Sequence, residues 1–388
     1  MAYIGSKPAD AVLETNDIAD GVVTNPKLST GSQQNFRNLI INGDFSIAQR
    51  GTSVTGIGNG DSGYHTVDRF KFVESGSPST VFTQSQSTDV PSGQGFAKSL
   101  KMDVTTADAS LGADDAIYIN TSVEGQNLQY IKKGTSSAES LTLSFWVKSN
   151  KTGTYIFEII DRDNDRAISK SYTISSANTW EKKTITYPGD TTGALDNDNA
   201  RSFELIYWLG AGANFSSGTL QTSWGSRTTA NDAVGQVNLG DNTANEWYVT
   251  GVQLEAGSVA SDFEFLPVDV NKNRCLRYFY PILPLNNTDK YFATGYYYSS
   301  SQVRMITETP VLMRASPSIE QASGTGGIRL YRNSGFDEME ANFTLQTVIS
   351  NNRFIPMYNA TNVSGTGGQI GQFYNLNNGN YIYLNAEL

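Results

Sequence analysis

The chain holds one histidine, His65, and one cysteine, Cys275. A Ser/His/Asp triad, a Cys/His dyad or a His-rich metal centre must use His65 or do without an imidazole. Its surroundings, Tyr64-His65-Thr66-Val67-Asp68-Arg69, lead into an alternating segment, so an ordinary loop histidine is expected. Cys275 acts as a nucleophile only with a base beside it; a packed thiol at a domain junction is the plainer expectation. Paired carboxylates are the remaining hydrolytic route, and glycoside hydrolysis needs two, about 5–9.5 Å apart. Asp44, Asp61, Asp68, Glu158 and Asp262 are scattered, and no motif selects among them. No sustained repeat of the parallel β-helix kind is present. No catalytic residue is therefore expected, and no enzyme.

Asp161-Arg162-Asp163-Asn164-Asp165 opens like a calcium loop. Arg166 then stands where Gly belongs, and Tyr172 where the bidentate Glu belongs. A charged hairpin turn is expected, with no metal ligand and no cofactor assigned; calcium elsewhere in the chain stays open.

Aromatic residues carry the more useful signal. Sugars bind to aromatic faces flanked by a few polar groups. Trp224, in Gln221-Thr222-Ser223-Trp224-Gly225-Ser226, reads as a loop residue, open between a glycan contact and an inter-subunit contact. Tyr296-Tyr297-Tyr298 puts successive rings on opposite faces of a strand, so these three are glycan or interface candidates. Trp146, Trp208 and Trp247 sit in alternating strands and are expected in the core.

The elements that position these residues are strands. Residues 39–41, 68–73, 141–148, 155–160, 180–187, 203–209 and 246–254 are apolar or alternating runs separated by turn clusters, the pattern of a β-sandwich. Residues 267–275 read as a connector, with a short helix over 271–280. Strands follow at 290–298, 303–308, 318–320, 328–331, 343–350, 354–358 and 381–385. Ser-Gly-Thr-Gly-Gly occurs at 323–327 and 364–368, each copy expected as a flexible hairpin tip. Residues 1–36 carry only Tyr3 and Phe36 as large aromatics and cannot bury a core alone.

Net charge is −10 over 388 residues. Residues 271–388 carry a balance of +2 and the rest −12. No basic stripe marks a nucleic-acid partner. No apolar run approaches the roughly 18 residues of a membrane span. The first ten residues have no basic stretch followed by an apolar core, so no signal peptide is expected.

Three segments carry a resemblance. Ala2-Tyr3-Ile4-Gly5-Ser6-Lys7-Pro8 looks like the start of tail-fibre proteins of tailed phages of marine bacteria. Asp17-Ile18-Ala19-Asp20-Gly21-Val22-Val23-Thr24-Asn25-Pro26-Lys27-Leu28 resembles the D-I-x-D-G-x-V-T-x-x-K-L segment of phage fibres, where three chains intertwine. Residues 38–45, N-L-I-I-N-G-D-F, and 247–257, ending T-G-V-Q-L-E-A-G, are similar to the two ends of a phage fibre domain, which also looks like the jelly-roll carbohydrate-binding modules of bacterial cellulases. Residues 310–317 and 386–388 resemble the C-terminal regions of the same fibres.

The resemblance implies an all-β homotrimeric fibre with three parts: an extended anchor (1–36), a jelly-roll sandwich (37–266) and a distal β-domain (267–388) that is the receptor-binding candidate. Tyr3, Ile4 and Pro8 would attach to a phage tail, neck or capsid protein. Ile18, Val22, Val23 and Leu28 would form a trimer core. The protein would assemble in the host cytoplasm, leave by lysis as part of the virion, and bind host surface polysaccharide. The competing readings are a structural head fibre, decoration protein or neck whisker, and a glycan depolymerase.

Overall fold

A computed structural model describes residues 36–286, 291–322, 327–333, 335–346, 352–376 and 379–388. The anchor and trimer-core candidates Tyr3, Ile4, Pro8, Ile18, Val22, Val23 and Leu28 lie outside the described residues. Residues Asn38–Leu388 form one compact unit. The fold is all-β, as the alternating pattern predicts.

The first part is a jelly-roll sandwich of twelve strands: β1 (Ser53–Gly58), β2 (Lys71–Ser75), β3 (Val81–Ser87), β4 (Ser99–Thr106), β5 (Ala116–Glu124), β6 (Leu141–Ser149), β7 (Gly153–Asp161), β8 (Arg166–Ile174), β9 (Glu181–Tyr187), β10 (Arg201–Ala211), β11 (Gly225–Ser226) and β12 (Glu246–Ala256). They form two six-stranded antiparallel sheets, β1-β3-β4-β12-β6-β9 and β11-β8-β7-β10-β5-β2. Alternation sends Leu141, Leu143, Phe145 and Val147 of β6 into the inter-sheet core, where they meet Phe203, Leu205, Tyr207 and Leu209 of β10. The second sheet is buried on its outer side as well. There Ile156, Ile160, Ile206 and Trp208 form a smaller core with Phe215 and Leu220. That is why 205–209 reads as a continuous apolar run.

Residues 39–41, expected as a strand, are an irregular segment instead. The reason is a side chain. Asn38 offers its amide to the edge of β12, accepting from Leu254 N–H at 3.1 Å and donating to the Val252 carbonyl at 3.1 Å. Gly43 closes the clamp: its carbonyl accepts from Val252 N–H at 2.8 Å. A Cβ at Gly43 would lie 2.0 Å from the Val252 oxygen. The two motifs at the ends of the sandwich therefore hold each other.

The connector forms α1 (Val268–Leu276), the longest helix among the described residues, which starts three residues earlier than expected. Residues 279–280, placed at the end of that helix from the sequence, belong to a strand, β13 (Phe279–Leu283). Beyond it lie β14 (Tyr291–Ser299), β15 (Gln302–Glu308), β16 (Ser318–Gln321), β17 (Ile328–Arg332), β18 (Gly335–Met339), β19 (Thr344–Leu345), β20 (Phe354–Asn359), β21 (Ile370–Asn375) and β22 (Ile382–Asn385). They build a three-stranded sheet, β13-β22-β16, and a seven-stranded sheet, β18-β17-β21-β14-β15-β20-β19. The second Ser-Gly-Thr-Gly-Gly is tied down, not a free tip: Ser364 donates through N–H and hydroxyl to Asp337, at 2.8 and 2.9 Å. Of the first copy, only Gly327 lies within the described residues.

Buried charge joins these sheets to the sandwich. Arg69, 1% exposed, pairs with Glu387, which also faces Arg50 at 3.5 Å. The two guanidinium groups stack on Tyr278 and Phe279, each 3.5 Å from the ring centre. Arg277 makes a two-pronged bond to Glu124 of β5, at 2.9 and 2.7 Å. A buried pair broken on one side leaves an uncompensated charge. Glu387→Gln should therefore destabilise the fold by about 3 kcal/mol. Urea unfolding of the two proteins checks this; matching midpoints would show that Arg69 does not depend on its carboxylate.

Candidate functional site

On the outer side of the first sheet, opposite register aligns side chains in rows. Thr250 of β12, Trp146 of β6 and Lys182 of β9 form one row. Ser144 and Thr184 stand in the row beside it. Between Thr250 and Gln253 the register of β12 slips, and Gly251 takes φ +64°. A Cβ there would lie 2.5 Å from the ring of Phe96. The bulge thus seats Phe96, which gathers Phe263 and Phe265 into a triangle with centres 4.9–5.1 Å apart. These rings, with Trp146, Ser144, Gln94, Lys182 and Asp262, enclose a groove of about 320 Å³. Phe265 is 51% exposed.

The neighbouring row extends the same face. Lys101, Tyr248 and Lys148 lie across β4, β12 and β6. Lys148 sits 4.2 Å above the Tyr248 ring. Trp180 donates its indole N–H to Asp89 at 2.9 Å. Burial alone would raise the Asp89 carboxyl, but the bonds from Lys148 and Trp180 outweigh it and hold the group below the usual carboxylate range. Flat rings, amide and hydroxyl groups and two opposite charges around an open groove suit stacking and hydrogen bonding to a polyhydroxylated ring.

Trp146 is a correction. Its own strand alternates Leu141, Leu143, Phe145 and Val147 inward, so Trp146 points outward with Ser144. Trp247 lies in the main core and Trp208 in the smaller one. The period-two pattern carried the signal for Trp146. Phe96, Phe263 and Phe265 had none, because they come from loops gathered by the bulge.

Of the residues singled out from the sequence as candidates, Asp262 lines this groove, and the aromatic candidates do not. Trp224 donates its indole N–H to the Pro188 carbonyl at 2.9 Å, stacks on Phe203 and is half-buried against its own sandwich. Tyr296 and Tyr298 are 40% and 57% exposed on the seven-stranded sheet. Tyr297 cannot be a glycan or interface contact: it is fully buried, and its hydroxyl donates to Asp337 at 2.9 Å. Strand alternation drives it inward between its two neighbours.

His65 is largely buried, with Asp61 at 3.8 Å; burial holds its imidazole below the ordinary range. Burial first, then Asp68, pushes the Cys275 thiol well up, so no thiolate forms there. At the Asp161–Asp165 turn, the Lys133 ammonium fills the space between carboxylates, 2.6 Å from Asp161 and 3.0 Å from Asp190. No group of three or more metal-capable acidic, histidine or cysteine side chains occurs among the described residues.

One carboxyl pair does come together, Glu158 of β7 with Asp232, beside Arg227. Both are sealed, at 0% and 1% exposure, so no substrate reaches them. Trp208 donates to Glu158 at 3.0 Å. Burial raises both carboxyls, Glu158 further through the charge of Asp232. The native state therefore keeps protons that the unfolded chain gives up. The stability this supplies is fully present below the ordinary carboxylate range and is lost as pH rises through the folded values. Glu158→Gln should raise stability at alkaline pH and flatten the decline above the ordinary carboxylate range. Thermal unfolding across that range measures it; an unchanged slope would mean the pair is not the titrating group.

No family model matches the chain, and no curated protein does. Parts of it are similar to solved structures. The enzymatically active domain of tailspike protein 4 from bacteriophage CBA120 has 15% identity over 52% of this chain, with a TM-score of 0.28. The match spans about a fifth of that domain, 21%. A family 11 carbohydrate-binding module from Clostridium thermocellum, solved with a β-1,3-1,4-mixed-linked tetrasaccharide, has 11% identity over 56% of this chain and 99% of its own, with a TM-score of 0.28. A CBM22-1 xylan-binding domain from Paenibacillus barcinonensis has 13% identity over 49% of this chain and 87% of its own, with a TM-score of 0.22. With scores this low, the reading of the groove rests on its own side chains.

Proposed function

We propose that this chain is a non-enzymatic phage tail fibre protein that holds a host surface glycan in the groove under Trp146. The carrying observation is the groove itself: four aromatic rings beside Ser144, Gln94, Lys182 and Asp262 on an open sheet face. Stacking on the rings supplies affinity, and the polar groups select among hydroxyl arrangements. The fibre role draws on the segments at 2–8 and 17–28 and on the paired motifs at 38–45 and 247–257. In this reading residues 1–36 attach to the particle and join three copies. Several weak grooves on one fibre then gain about 10²–10⁴ in avidity.

Host adsorption in the presence of excess full-length protein tests the receptor role. The protein should compete with virions, and Trp146→Ala should weaken direct polysaccharide binding by roughly tenfold, about 1.4 kcal/mol, without changing the melting temperature. Failure to compete would remove receptor binding. Release of new reducing ends from host polysaccharide would replace a binding protein with an enzyme.

A further inference from the structure

Seven of the fourteen exposed large hydrophobic residues in the described chain lie on the seven-stranded sheet: Tyr291, Tyr296, Tyr298, Ile306, Phe336, Phe354 and Ile370. Register shows that they share one face. Phe336 pairs with Tyr331, which pairs with Gln372, and Gln372 with Thr294. Two residues on, Ile370 pairs with Tyr296, and Tyr296 with Arg304. Two further, Ile306 pairs with Pro356, beside Phe354. The opposite face carries Leu330, Phe373, Tyr297, Val303 and Met357 into the distal core. One side is a core, and the other is an aromatic and aliphatic surface open to solvent.

We infer that this outer face is an interface between copies of this chain, and it leans on the proposed multi-chain fibre only for its choice of partner. Seven strands about 4.8 Å apart and about five residues long cover roughly 500 Å² in flat projection, so this face supplies a large part of the about 800 Å² of accessible surface per partner in a stable interface. Charge fits as well. The face carries Arg304, Arg329, Glu308 and Glu338, with Arg353 bonded to Glu308 at 2.8 Å, so both signs are present although the whole chain is at −10. Among the described residues it has Arg and no Lys beside many aromatics, the composition of protein interfaces.

A sugar is the poorer occupant. Ile306 and Ile370, 64% and 71% exposed, offer branched methyl groups and no flat face. The groove under Trp146 differs in its lining: Gln94, Ser144, Lys182 and Asp262 stand beside its rings, and no branched aliphatic side chain does.

The test uses the full chain with one introduced thiol, Ile306→Cys or Ile370→Cys, and Ser110→Cys on the exposed β4–β5 loop as reference. The native Cys275 is buried and silent. Sedimentation gives the mass, and maleimide gives the labelling rate. The chain should run as a multimer, with thiols at 306 and 370 labelled roughly tenfold slower than at 110, the gap closing on dilution as copies separate. Adding Phe336→Glu should release the protection at 370 without unfolding the protein, since Phe336 is 46% exposed. Equal rates in a multimer would overturn the inference and leave the fibre reading standing. A monomer at every concentration would overturn both this interface and the multi-chain part of the proposed function, leaving glycan binding at Trp146 to its own assay. Protection that appears only when host polysaccharide is added would assign the face to sugar and overturn the inference.

Discussion

The backbone of β12 between Thr250 and Leu254 is the piece on which the remaining architecture hangs. Asn38 and Gly43 bond to it from the opening segment. The bulge at Gly251 gives Phe96 its seat, and the chain leaving β12 supplies Phe263 and Phe265. An asparagine amide is suited to this task because it offers donor and acceptor together, so both ladder groups of an edge are met by one side chain. A glycine is required at 43 because the Val252 carbonyl occupies the space of any Cβ. Two short motifs more than 200 residues apart therefore act as one structural unit, and the groove is its by-product.

The second constraint is the buried electrostatic seam. Arg50 and Arg69 of the sandwich share Glu387, and Arg277 reaches back to Glu124. Guanidinium groups stacked on Phe279 and Tyr278 keep their planar fork while losing water, which suits Arg and would not suit Lys. The sandwich and distal sheets consequently meet through paired charges stacked on buried rings.

Aromatic residues serve two different surfaces in this protein. In the groove they stand among amide, hydroxyl and charged groups at the mouth of a cavity. On the seven-stranded sheet they share the face with Ile306 and Ile370. The first arrangement can receive a hydroxylated ring. The second is satisfied best by another apolar surface. Composition alone, with 20 Tyr, 18 Phe and 5 Trp, cannot separate the two uses.

Alternation in β6, β7, β9, β10 and β12 made the sandwich legible in the sequence, because period-two burial depends only on neighbours along the strand. The same rule correctly opposed Tyr297 to Tyr296 and Tyr298. It also pointed Trp146 outward, although a tryptophan among apolar residues was read as core. Beyond reach were β3, β4 and β8, rich in Ser, Thr, Gln and Lys, whose strand state is set by pairing partners. The loop phenylalanines of the groove and the Glu158–Asp232 pair were equally hidden, because residues distant along the chain become neighbours only after the sheets have closed. Thus the sequence by itself determined strand character where apolar and polar residues alternate, and with it the inward or outward sense of the side chains there. Tertiary structure decided which outward residues share a face, since that depends on cross-strand register and on one glycine bulge.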